Sequence, residues 1–368
     1  MEPEASTTPR PTLAAVAARA GVSVSTASLV FSGAGPVAAT TRDRVLVAAA
    51  ELEYGGPDPT ARSLRRGRSG VIAVITEDRL ADAFRDPMNL AFLDGVAQAF
   101  GDERAGLLVI PLAAEPETDL SASPMDAAIL LGCSLDLSSS VEVLRRRRIP
   151  IVAVEADALE GVFVVDLDNR DAARRGAEHL HDLGHRRVAT VTLALDAERI
   201  PGPLTPEREH TATGHTTRER LSGLRDVYPD ATGWSTSGSA LADGYAAARE
   251  LLDRPATERP TAIVAQSDLL ALGALRAADE LGLDVPRDLS VLGFDGVRLD
   301  EAAPHVLTTL VQPGVEKGEA AAAAVFAALA GEHPDPVVLS CTLRIGTTTG
   351  PPAGSRHAAS GRSSTTEK

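Results

Sequence analysis

Two short amphipathic segments separated by a glycine, close to the start of the chain, constrain its fold more than any other feature. The apolar residues of the first segment recur at i, i+3, i+4 and i+7, the spacing of one helix face: Leu13, Val16, Ala17 and Ala20. Thr12 precedes this segment as a candidate N-cap, and Gly21 follows it as a stop. The pattern therefore predicts a short helix that buries one face.

A second predicted helix follows this glycine. Ser23 can cap it, and Val22 and Ala27 have the spacing of a hydrophobic staple around the cap. Two short helices joined by a glycine-containing turn form a helix-turn-helix, whose second helix can enter the major groove of DNA. The start of the chain thus indicates a DNA partner.

A third helix is predicted over about Thr41–Glu53, with Thr40 or Thr41 as its cap. Its apolar residues repeat the same spacing: Val45, Ala48, Ala49 and Leu52. Three such helices can close one small core, so residues 12–56 are the predicted DNA-binding domain. Residues 1–11 contain acids and prolines without an apolar stretch, which predicts a disordered arm rather than a secretory signal.

Charge is distributed unevenly along the 368 residues. The formal net charge is −15, yet residues 1–69 carry eight arginines against six acids. A mildly basic head on a strongly acidic body fits a modular protein whose body stays away from phosphates. Two isolated cysteines, Cys133 and Cys341, fit a reducing cytoplasm. No apolar run of about 18 residues occurs, so no membrane contact is expected.

Residues 57–69 contain the signals of a two-turn helix. Asp58 is a good N-cap, Pro59 suits the first helical position, and Gly67 suits the C-terminal stop. A helix this short is unstable alone. Two interpretations stay open: a solvated basic linker, or a hinge helix that folds only on DNA and inserts Leu64 as an apolar wedge.

After Ser69, short apolar runs alternate with helical segments. The predicted strands are Val71–Ile75, Leu107–Ile110, Ala127–Leu131, Ile151–Val154, Val188–Val191, Ala262–Ala265 and Val291–Phe294. The predicted helices lie near Met88–Phe100, Ser139–Arg147, Asp171–Leu183, Arg218–Arg225, Leu241–Leu252, Leu269–Leu281 and Val315–Ala330. Such alternation is typical of parallel sheets covered by helices, and its length predicts two lobes. Residues 196–217 are predicted to be a long surface loop, and residues 348–368 a disordered tail.

Thr12 to Ser28 resembles the DNA-binding head of the lactose-repressor (LacI) and galactose-repressor family, whose pattern is T-L-x-x-V-A-x-x-A-G-V-S-x-x-T-x-S. Similar segments follow in family order: Thr41-Arg42, Ala49-Ala50-Glu51-Leu52, Ala61-Arg62-Ser63-Leu64, His179-Leu180, Leu183-Gly184-His185-Arg186-Arg187, Ser267-Asp268, Ala271-Leu272-Gly273-Ala274, Leu289–Asp295 and Leu307–Gln312. Each segment alone is weak evidence. Their number and order, over about residues 12–347, make the resemblance strong.

The resemblance implies an α/β fold class with a helix-turn-helix head, a hinge helix, and a two-lobed core similar to periplasmic sugar-binding proteins, in which helices flank parallel sheets. The core, residues 70–347, would bind the effector and dimerise. The implied crossings between lobes lie near Leu167, Val311 and Val338. They divide the core into a first lobe of about 70–167 and 312–337, and a second lobe of about 168–311 and 338–347.

The resemblance also assigns DNA contacts to head and hinge: Thr12, Ser23, Val24, Ser25, Thr26, Ser28, Leu29, Ala61, Arg62, Leu64 and Arg65. The chain departs from the family at Leu29, where members often carry arginine. Val24 and Ser25 are small, so base readout would rest on serine and threonine hydroxyls and affinity more on the hinge. The hinge is one residue longer than usual, since Tyr54-Gly55-Gly56-Pro57 replaces a tighter Tyr-x-Pro.

Seven residues are candidate effector contacts: Arg220, Asp295, Asp268, Gln312, Phe84, Asp86 and Asp157. Arg220 matches a family arginine that faces the cleft; its alternative is an exposed helix arginine. Asp295 ends an apolar strand, where open α/β sheets hold ligands, or it caps a turn. Asp268 is first a candidate N-cap, with cleft lining as a second role.

No metal or cofactor is expected. His179 and His181 point to different faces of a helix, which Gly184 ends before His185. His210 and His215 have no carboxylate or cysteine at metal-ligand spacing. Phosphate loops and the motifs H-E-x-x-H and G-x-S-x-G do not occur, so no catalysis is expected.

These features predict a cytoplasmic, homodimeric transcription regulator, by preference a repressor. It would bind a pseudo-palindromic operator of double-stranded DNA and a small-molecule effector, with a sugar as the family default. Two alternatives stay open. A solute-binding receptor would share the lobes but needs a signal peptide and no DNA-binding head. A nucleotide-dependent α/β enzyme would share the sheets but needs a phosphate loop or a catalytic constellation.

Overall fold

The computed structural model describes residues 11–33, 35–56, 68–76, 79–101, 105–112, 120–132, 138–298 and 304–353. The chain divides into two compact units, residues 1–70 and residues 71–368. Each unit has its own hydrophobic core and is described by itself.

The first unit is a three-helix head. Its helices are α1 (Leu13–Ala20), α2 (Val24–Ser32) and α3 (Ala39–Glu51). Helices α1 and α2 meet at 107°. The core of the head consists of predicted apolar residues and of Val30, which was not predicted: Val16, Ala17, Ala20, Ala27, Val30, Val45, Ala48 and Ala49. The predicted Leu13, Val22 and Leu52 are partly buried against it. The spacing of small apolar residues therefore folds this unit as a helix-turn-helix plus one supporting helix.

Side-chain caps begin the first two helices. The hydroxyl of Thr12 accepts the backbone N–H of Ala15, and that of Ser23 accepts the backbone N–H of Thr26. Gly21 ends α1 with a φ of 63°, a left-handed conformation that favours glycine. These local signals fix the turn between the two helices.

The predicted cap of α3 is wrong. This helix begins at Ala39, its N-cap is Ala38, and no side chain bonds its first turn. Thr40 and Thr41 lie inside the helix, and Thr41 donates its backbone N–H to the carbonyl oxygen of Ala38. The hinge residues Ala61, Arg62, Leu64 and Arg65 lie outside the described residues.

The second unit alternates strands and helices. Its strands are β1 (Val71–Thr76), β2 (Gly106–Pro111), β3 (Ala127–Leu131), β4 (Ile151–Val154), β5 (Phe163–Leu167), β6 (Val188–Thr192), β7 (Gly202–Pro203), β8 (Thr232–Ser235), β9 (Ala262–Ala265), β10 (Ser290–Asp295), β11 (Thr308–Val311), β12 (Val337–Leu339) and β13 (Thr342–Arg344). Its helices are α4 (Leu80–Ala83), α5 (Pro87–Phe100), α6 (Ser138–Arg146), α7 (Asn169–Asp182), α8 (Pro206–Thr211), α9 (His215–Arg225), α10 (Leu241–Leu252), α11 (Asp268–Glu280) and α12 (Gly314–Leu329).

Two sheets define two lobes. The first sheet has six strands in the order β12-β5-β4-β3-β1-β2, all parallel. The second has the order β13-β11-β10-β9-β6-β8-β7, with antiparallel edge strands β13 and β7 around a parallel centre. Central strands such as β4 and β9 are buried along their whole length, which explains their unbroken apolar runs.

The chain crosses between the lobes three times, after Leu167, after Val311 and after Leu339. The third crossing lies later than the predicted position near Val338, because Val337–Leu339 pairs with β5 in the first sheet. The first and third crossings are bonded to each other, since the carboxylate of Asp168 accepts the backbone N–H of Cys341 at 2.7 Å. They form one connected segment between the lobes.

Helix α12 belongs to the first lobe, because it packs closely on α5. A Cβ on Gly95 would lie 1.9 Å from the carbonyl oxygen of Val315, and one on Gly318 would lie 2.1 Å from that of Phe92. Only glycine permits this approach of two helix backbones. The two helices thus form one tight pair.

Two regions that were predicted to be irregular are ordered in the residues that the structure describes, 196–217 and 348–353. Residues 196–217 were expected to be a surface loop, but they contain β7 and α8, and Thr216 and Thr217 are fully buried in α9. Thr348, expected in a disordered tail, is also buried and exchanges hydrogen bonds with the backbone of Val291. Threonine hydroxyls that bond to backbone allow these polar segments to be buried.

Among the residues that the structure describes, no single helix is long and apolar enough to cross a membrane. Helices α1 and α2 reach that length and composition only together, with the 107° bend between them.

Candidate functional site

The exposed face of α2 is the candidate surface for DNA. Val24 is 50% exposed and Leu29 is 39% exposed, although both are apolar. Ser23 and Ser25 are exposed beside them, and Thr26 and Ser28 are partly buried. An apolar and hydroxyl-bearing helix face can contact thymine methyls and base edges in a groove.

The hydroxyls at the start of α2 are connected to each other. The oxygen of Ser23 lies 2.8 Å from that of Ser25 and 2.8 Å from that of Thr26. Arg19 of α1 also forms an exposed ion pair with Glu51 of α3, at 2.7 Å. Thr12 is exposed, and its hydroxyl caps α1. These contacts position the helix face without covering it.

A cleft lies between the lobes of the second unit. Its lining residues come from both lobes: Thr76, Asp86, Met88, Asn89, Phe92, Leu131, Gly132, Glu155, Leu193, Ala194, Arg199, Arg220, Gly238, Ser239, Ser267, Asp295, Gln312 and Lys317. Many of them stand at or just after the carboxyl ends of parallel strands, where ligands of such sheets bind. The cavity volume is about 100 Å³, below the roughly 300–1,000 Å³ of ligand pockets. The lobes or side chains must therefore move apart to admit a whole effector.

Five buried side chains form a closed polar ring in this cleft: Arg220, Asp295, Gln312, Lys317 and Glu155. The amide of Gln312 donates to Asp295 at 2.5 Å and accepts from Lys317 at 2.8 Å. Lys317 also donates to Glu155 at 2.7 Å. Arg220 closes the ring, 3.4 Å from Glu155 and 3.7 Å from Asp295. The two long links are those that a ligand can most easily replace.

Other contacts fix the orientation of Arg220. Its guanidinium donates to Asn169 at 2.8 Å and to the carbonyl of Gln266 at 2.6 Å. It also lies over the ring of Phe294, 3.6 Å from the ring centroid. The arginine is therefore held with one edge toward the two carboxyl groups.

The two carboxyl groups of the ring have opposite pKa shifts. Burial alone would raise the pKa of Glu155, but the charges of Lys317 and Arg220 outweigh it and lower that pKa to about 2. Burial raises the pKa of Asp295 well above its usual range. The positive charge of Arg220 opposes this rise, while the negative charges of Asp268 and Asp86 add to it. Perturbed acids in a cleft are typical of binding sites.

Backbone strain is concentrated in the same cleft. Five non-glycine residues of the described chain have positive φ angles, and three of them line the cleft: Glu155 at 52°, Arg199 at 52° and Asp295 at 122°. Such conformations are costly for L-residues and often mark functional sites.

The predicted effector residues separate into two groups. Arg220, Asp295, Gln312 and Asp86 line the cleft, whereas Phe84 and Asp157 do not. Phe84 is 48% exposed.

The predicted N-cap role of Asp268 is wrong. Ser267 caps α11, and Asp268 is fully buried behind the cleft. Its carboxyl group accepts hydrogen bonds from Thr309 and from the backbone N–H groups of Gly296 and Val297. Burial raises its pKa to about 7 despite those bonds.

Sequence reasoning missed Glu155 and Lys317. Glu155 follows β4 directly, so its place after a buried strand was an available signal. Lys317 lies on α12, and its contact with Glu155 joins residues 162 positions apart. No local pattern connects them.

Asp157 belongs to a second polar cluster, which we call the interlobe clamp: Asp157, Asp166, His215 and Arg218. Asp157 and Asp166 lie on the first lobe, and both nitrogens of His215, on α9, bond to them at 2.9 and 3.1 Å. Arg218 pairs with Asp157 at 2.8 Å. Burial opposes the charge of His215, but its bonds to Asp166 and Asp157 raise its pKa to about 9. The clamp therefore joins the lobes by ion pairs.

Two further histidines have structural partners, His179 and His185; Nε2 of His179 lies 3.0 Å from the hydroxyl oxygen of Thr349. His185 is buried and bonds to Thr261, Ser290 and the carbonyl of Gly350. In the part of the chain that the structure describes, no three side chains of His, Cys, Asp or Glu could hold a metal ion.

A helix-turn-helix head joined to a two-lobed core with a cleft defines a class of protein, the ligand-responsive DNA-binding regulator. Residues 12–56 match the model of the bacterial regulatory proteins of the lacI family, and residues 177–349 match a periplasmic binding protein-like domain. An HTH-type transcriptional regulator of Mycobacterium tuberculosis is 34% identical over 94% of this chain and 98% of its own length. The HTH-type transcriptional repressor CytR of Escherichia coli is 30% identical over 88% of this chain and 91% of its own length.

Solved structures agree with these relatives. A LacI-family regulator from Corynebacterium glutamicum has a TM-score of 0.69 and 27% identity, covering 93% of this chain and 100% of that chain. The CelR–cellobiose complex has a TM-score of 0.65 and 28% identity, covering 92% of this chain and 100% of that chain. The protein belongs to the lacI family of bacterial transcriptional regulators, with a DNA-binding helix-turn-helix and an effector-binding core, which confirms the predicted family and fold class.

Proposed function

We propose that the protein is a homodimeric repressor that binds a pseudo-palindromic operator. Binding of an effector in the cleft would weaken or strengthen its affinity for that operator. Two heads would read two half-sites, as the two-fold symmetry of a dimer requires. The observation that carries the proposal is the coexistence of a capped, exposed α2 face with a polar ring buried between two lobes. The proposed function requires no catalysis, and we propose that the protein acts in the cytoplasm, where the DNA is.

Base contacts are assigned to α2, phosphate contacts to the arginines of the hinge, and bending of the operator to Leu64. Val24, Ser25, Ser28 and Leu29 lie along one face of α2, and their side chains are too short to reach far into the groove. Direct readout would then be limited, and the hinge residues Arg62, Leu64 and Arg65 would supply affinity and bending.

The effector is assigned to Arg220, Asp295 and Gln312, with Asp86 at the cleft wall. Relatives bind sugars, as in the cellobiose complex of CelR and the ribose-bound regulator of Enterococcus faecium. A sugar is the starting hypothesis here too. The effector would change operator affinity only to the extent that it binds open and closed lobes differently.

The test is an operator-binding titration with the full-length protein. Operator fragments selected from random DNA by the protein should contain two half-sites, and fluorescence anisotropy should give a dimer per fragment. Ligands that raise the melting temperature should then change operator affinity. The proposal would be contradicted if the protein selected no common DNA sequence, or if ligands that raise its melting temperature left operator affinity unchanged.

A further inference from the structure

Helix α2 lacks every side chain that makes two-pronged or charged hydrogen bonds to bases. Its sequence is VSTASLVFS, without arginine, lysine, asparagine, glutamine, aspartate or glutamate. Bidentate contacts to guanine use arginine or lysine, those to adenine use asparagine or glutamine, and the amino group of cytosine is bound by a carboxylate. Base contacts from α2 can therefore come only from hydroxyl and apolar groups. The one apolar group that a base presents in the major groove is the methyl of thymine.

The hydroxyls at the start of α2 are already bonded within the head. The oxygen of Ser23 accepts the backbone N–H of Thr26 at 3.0 Å. It also lies 2.8 Å from the hydroxyl oxygens of both Ser25 and Thr26. A base that bonded to these groups would exchange one hydrogen bond for another, so the net gain in free energy would be small. Hydroxyl contacts alone would thus discriminate weakly between bases.

Apolar side chains are the other groups that α2 presents to solvent. Val24 is 50% exposed and Leu29 is 39% exposed, and both point away from Ala27 and Val30, the buried residues of this helix. Covering such a side chain with another apolar group is favourable, and a thymine methyl would do so. A cytosine at the same place would leave its amino group facing a side chain that cannot accept a hydrogen bond. Apolar contact would therefore both favour thymine and disfavour cytosine.

We propose that Val24 and Leu29 determine the operator sequence by contacting the methyl groups of two thymines in each half-site. The inference rests on the proposed DNA-binding function and names the base feature that α2 reads. The two residues are five positions apart, about 7.5 Å along the helix axis, whereas successive base pairs are about 3.4 Å apart. We therefore expect them to contact different base pairs. Ser28 lies between them on the same face, where its hydroxyl can bond to a neighbouring base edge.

Replacement of thymine by uracil removes the methyl group without changing base pairing, so it tests the proposal with the unaltered full-length protein. In an operator selected from random DNA, each thymine is replaced in turn by deoxyuridine, and affinity is measured by fluorescence anisotropy. At two thymines of each half-site, the replacement should weaken binding about fourfold, the factor expected for burial of one methyl-sized group. At these two positions, a 5-methylcytosine–guanine pair should also bind more tightly than a cytosine–guanine pair, because it restores the methyl.

Protein variants then assign each methyl group to a side chain. Leu29→Ala should remove the effect of uracil at one of the two thymines, and Val24→Ala should remove it at the other, because the effects of two groups in contact are not additive. Leu46→Ala is the matched control, since Leu46 is a comparably exposed apolar residue of the same head, on α3. It should leave both uracil effects unchanged.

Two results would overturn the proposal while leaving the DNA-binding regulator intact. The first is a selected operator in which uracil at no thymine changes the affinity. The second is a pair of uracil effects that persist unchanged in both Leu29→Ala and Val24→Ala. Failure of the full-length protein to select any common sequence would instead refute the proposed function, and the thymine contacts with it.

Discussion

Arg220 determines the geometry of the cleft at the scale of single residues. Its contacts with Asn169, Gln266 and Phe294 hold the guanidinium plane, so the side chain needs little reorganisation when a ligand arrives. Pre-organised charges of this kind give affinity because the ordering cost is met during folding. Substitution of the residues that face the ligand should therefore affect binding more than folding.

Asp295→Asn tests this expectation while keeping the shape of the side chain. The variant replaces one accepting oxygen by an N–H donor, so it should weaken effector binding by about 1–3 kcal/mol, the usual cost of leaving a buried polar group without a partner, and should leave operator affinity unchanged. Calorimetry with an effector found by thermal-shift screening measures effector affinity, and fluorescence anisotropy measures operator affinity. Arg249→Ala is the matched control, because Arg249 lies on α10 in a solvent-accessible ion pair with Asp253. Equal effector affinity in both variants would remove Asp295 from the site.

The interlobe clamp gives a prediction of pH dependence. The pKa of His215 is raised from 6.5 to about 9 in the folded chain, because Asp166 and Asp157 bond to its protonated ring against the cost of burial. A raised pKa stabilises the fold fully below pH 6.5, and the gain is lost as the pH rises through 9. The melting temperature of the wild type should exceed that of His215→Gln near pH 6, and the difference should shrink toward pH 9.5. His210→Gln, at an exposed position of α8, should show no such trend. A constant difference across this pH range would contradict the clamp.

Single residues of the cleft were predicted where a local signal existed. Asp295 ends an apolar strand, Gln312 follows another, and Arg220 matched a family position. Lys317 and Glu155 were missed because their meaning comes from contact across 162 residues. His215 was dismissed for lack of partners at metal-ligand spacing, yet its two carboxylates lie 49 and 58 residues away, at Asp166 in β5 and at Asp157 after β4. Sequence spacing describes helices and turns, not long-range contacts.

At the scale of elements, the head was predicted almost completely. Helix caps and glycine stops are local, so Thr12, Ser23 and Gly21 defined α1 and α2 without tertiary information. The short strands β5, β7, β8, β11, β12 and β13 were missed, because two to five residues give too little periodicity. The helix α8 was missed although Thr205 caps it and Pro206 begins it, since its surroundings are rich in Pro, Thr and Gly.

Substitution of Leu64, the apolar residue of the predicted hinge helix, tests whether this helix bends the operator. Leu64→Ala should remove most of the operator bend and reduce specific more than non-specific affinity, because an inserted side chain gains its energy from a bent site. Circular permutation gel assays measure the bend, and anisotropy the two affinities. A full bend in the variant would mean that the segment is a basic linker.

Arg65→Ala is the matched variant in the same segment. A phosphate contact carries no sequence information, so this variant should weaken binding to all sequences and reduce the salt slope by about one. The measurement is affinity against salt concentration for operator and random DNA. A selective loss for the operator would instead assign a base contact to Arg65.

At the scale of the whole molecule, the boundary near residue 70 predicts separable activities. The unit 71–368 contains the complete cleft and both sheets. A protein of residues 71–368 should fold, dimerise and bind the effector with unchanged affinity, but it should lose operator binding because α2 is absent. Analytical ultracentrifugation, calorimetry and anisotropy measure these three properties. Operator binding as tight as that of the full chain would contradict the modular organisation.

The bond between Asp168 and Cys341 has a mechanical consequence. It couples two of the three crossings, and Gln312, at the third, is held by Asp295 and Lys317. Two crossing segments that are bonded to each other should bend together, so we expect the lobes to open along few directions. Chemically different ligands would then vary mainly the angle and the lifetime of closure. The many shapes of possible effectors would thereby be converted into one simple motion of the two lobes.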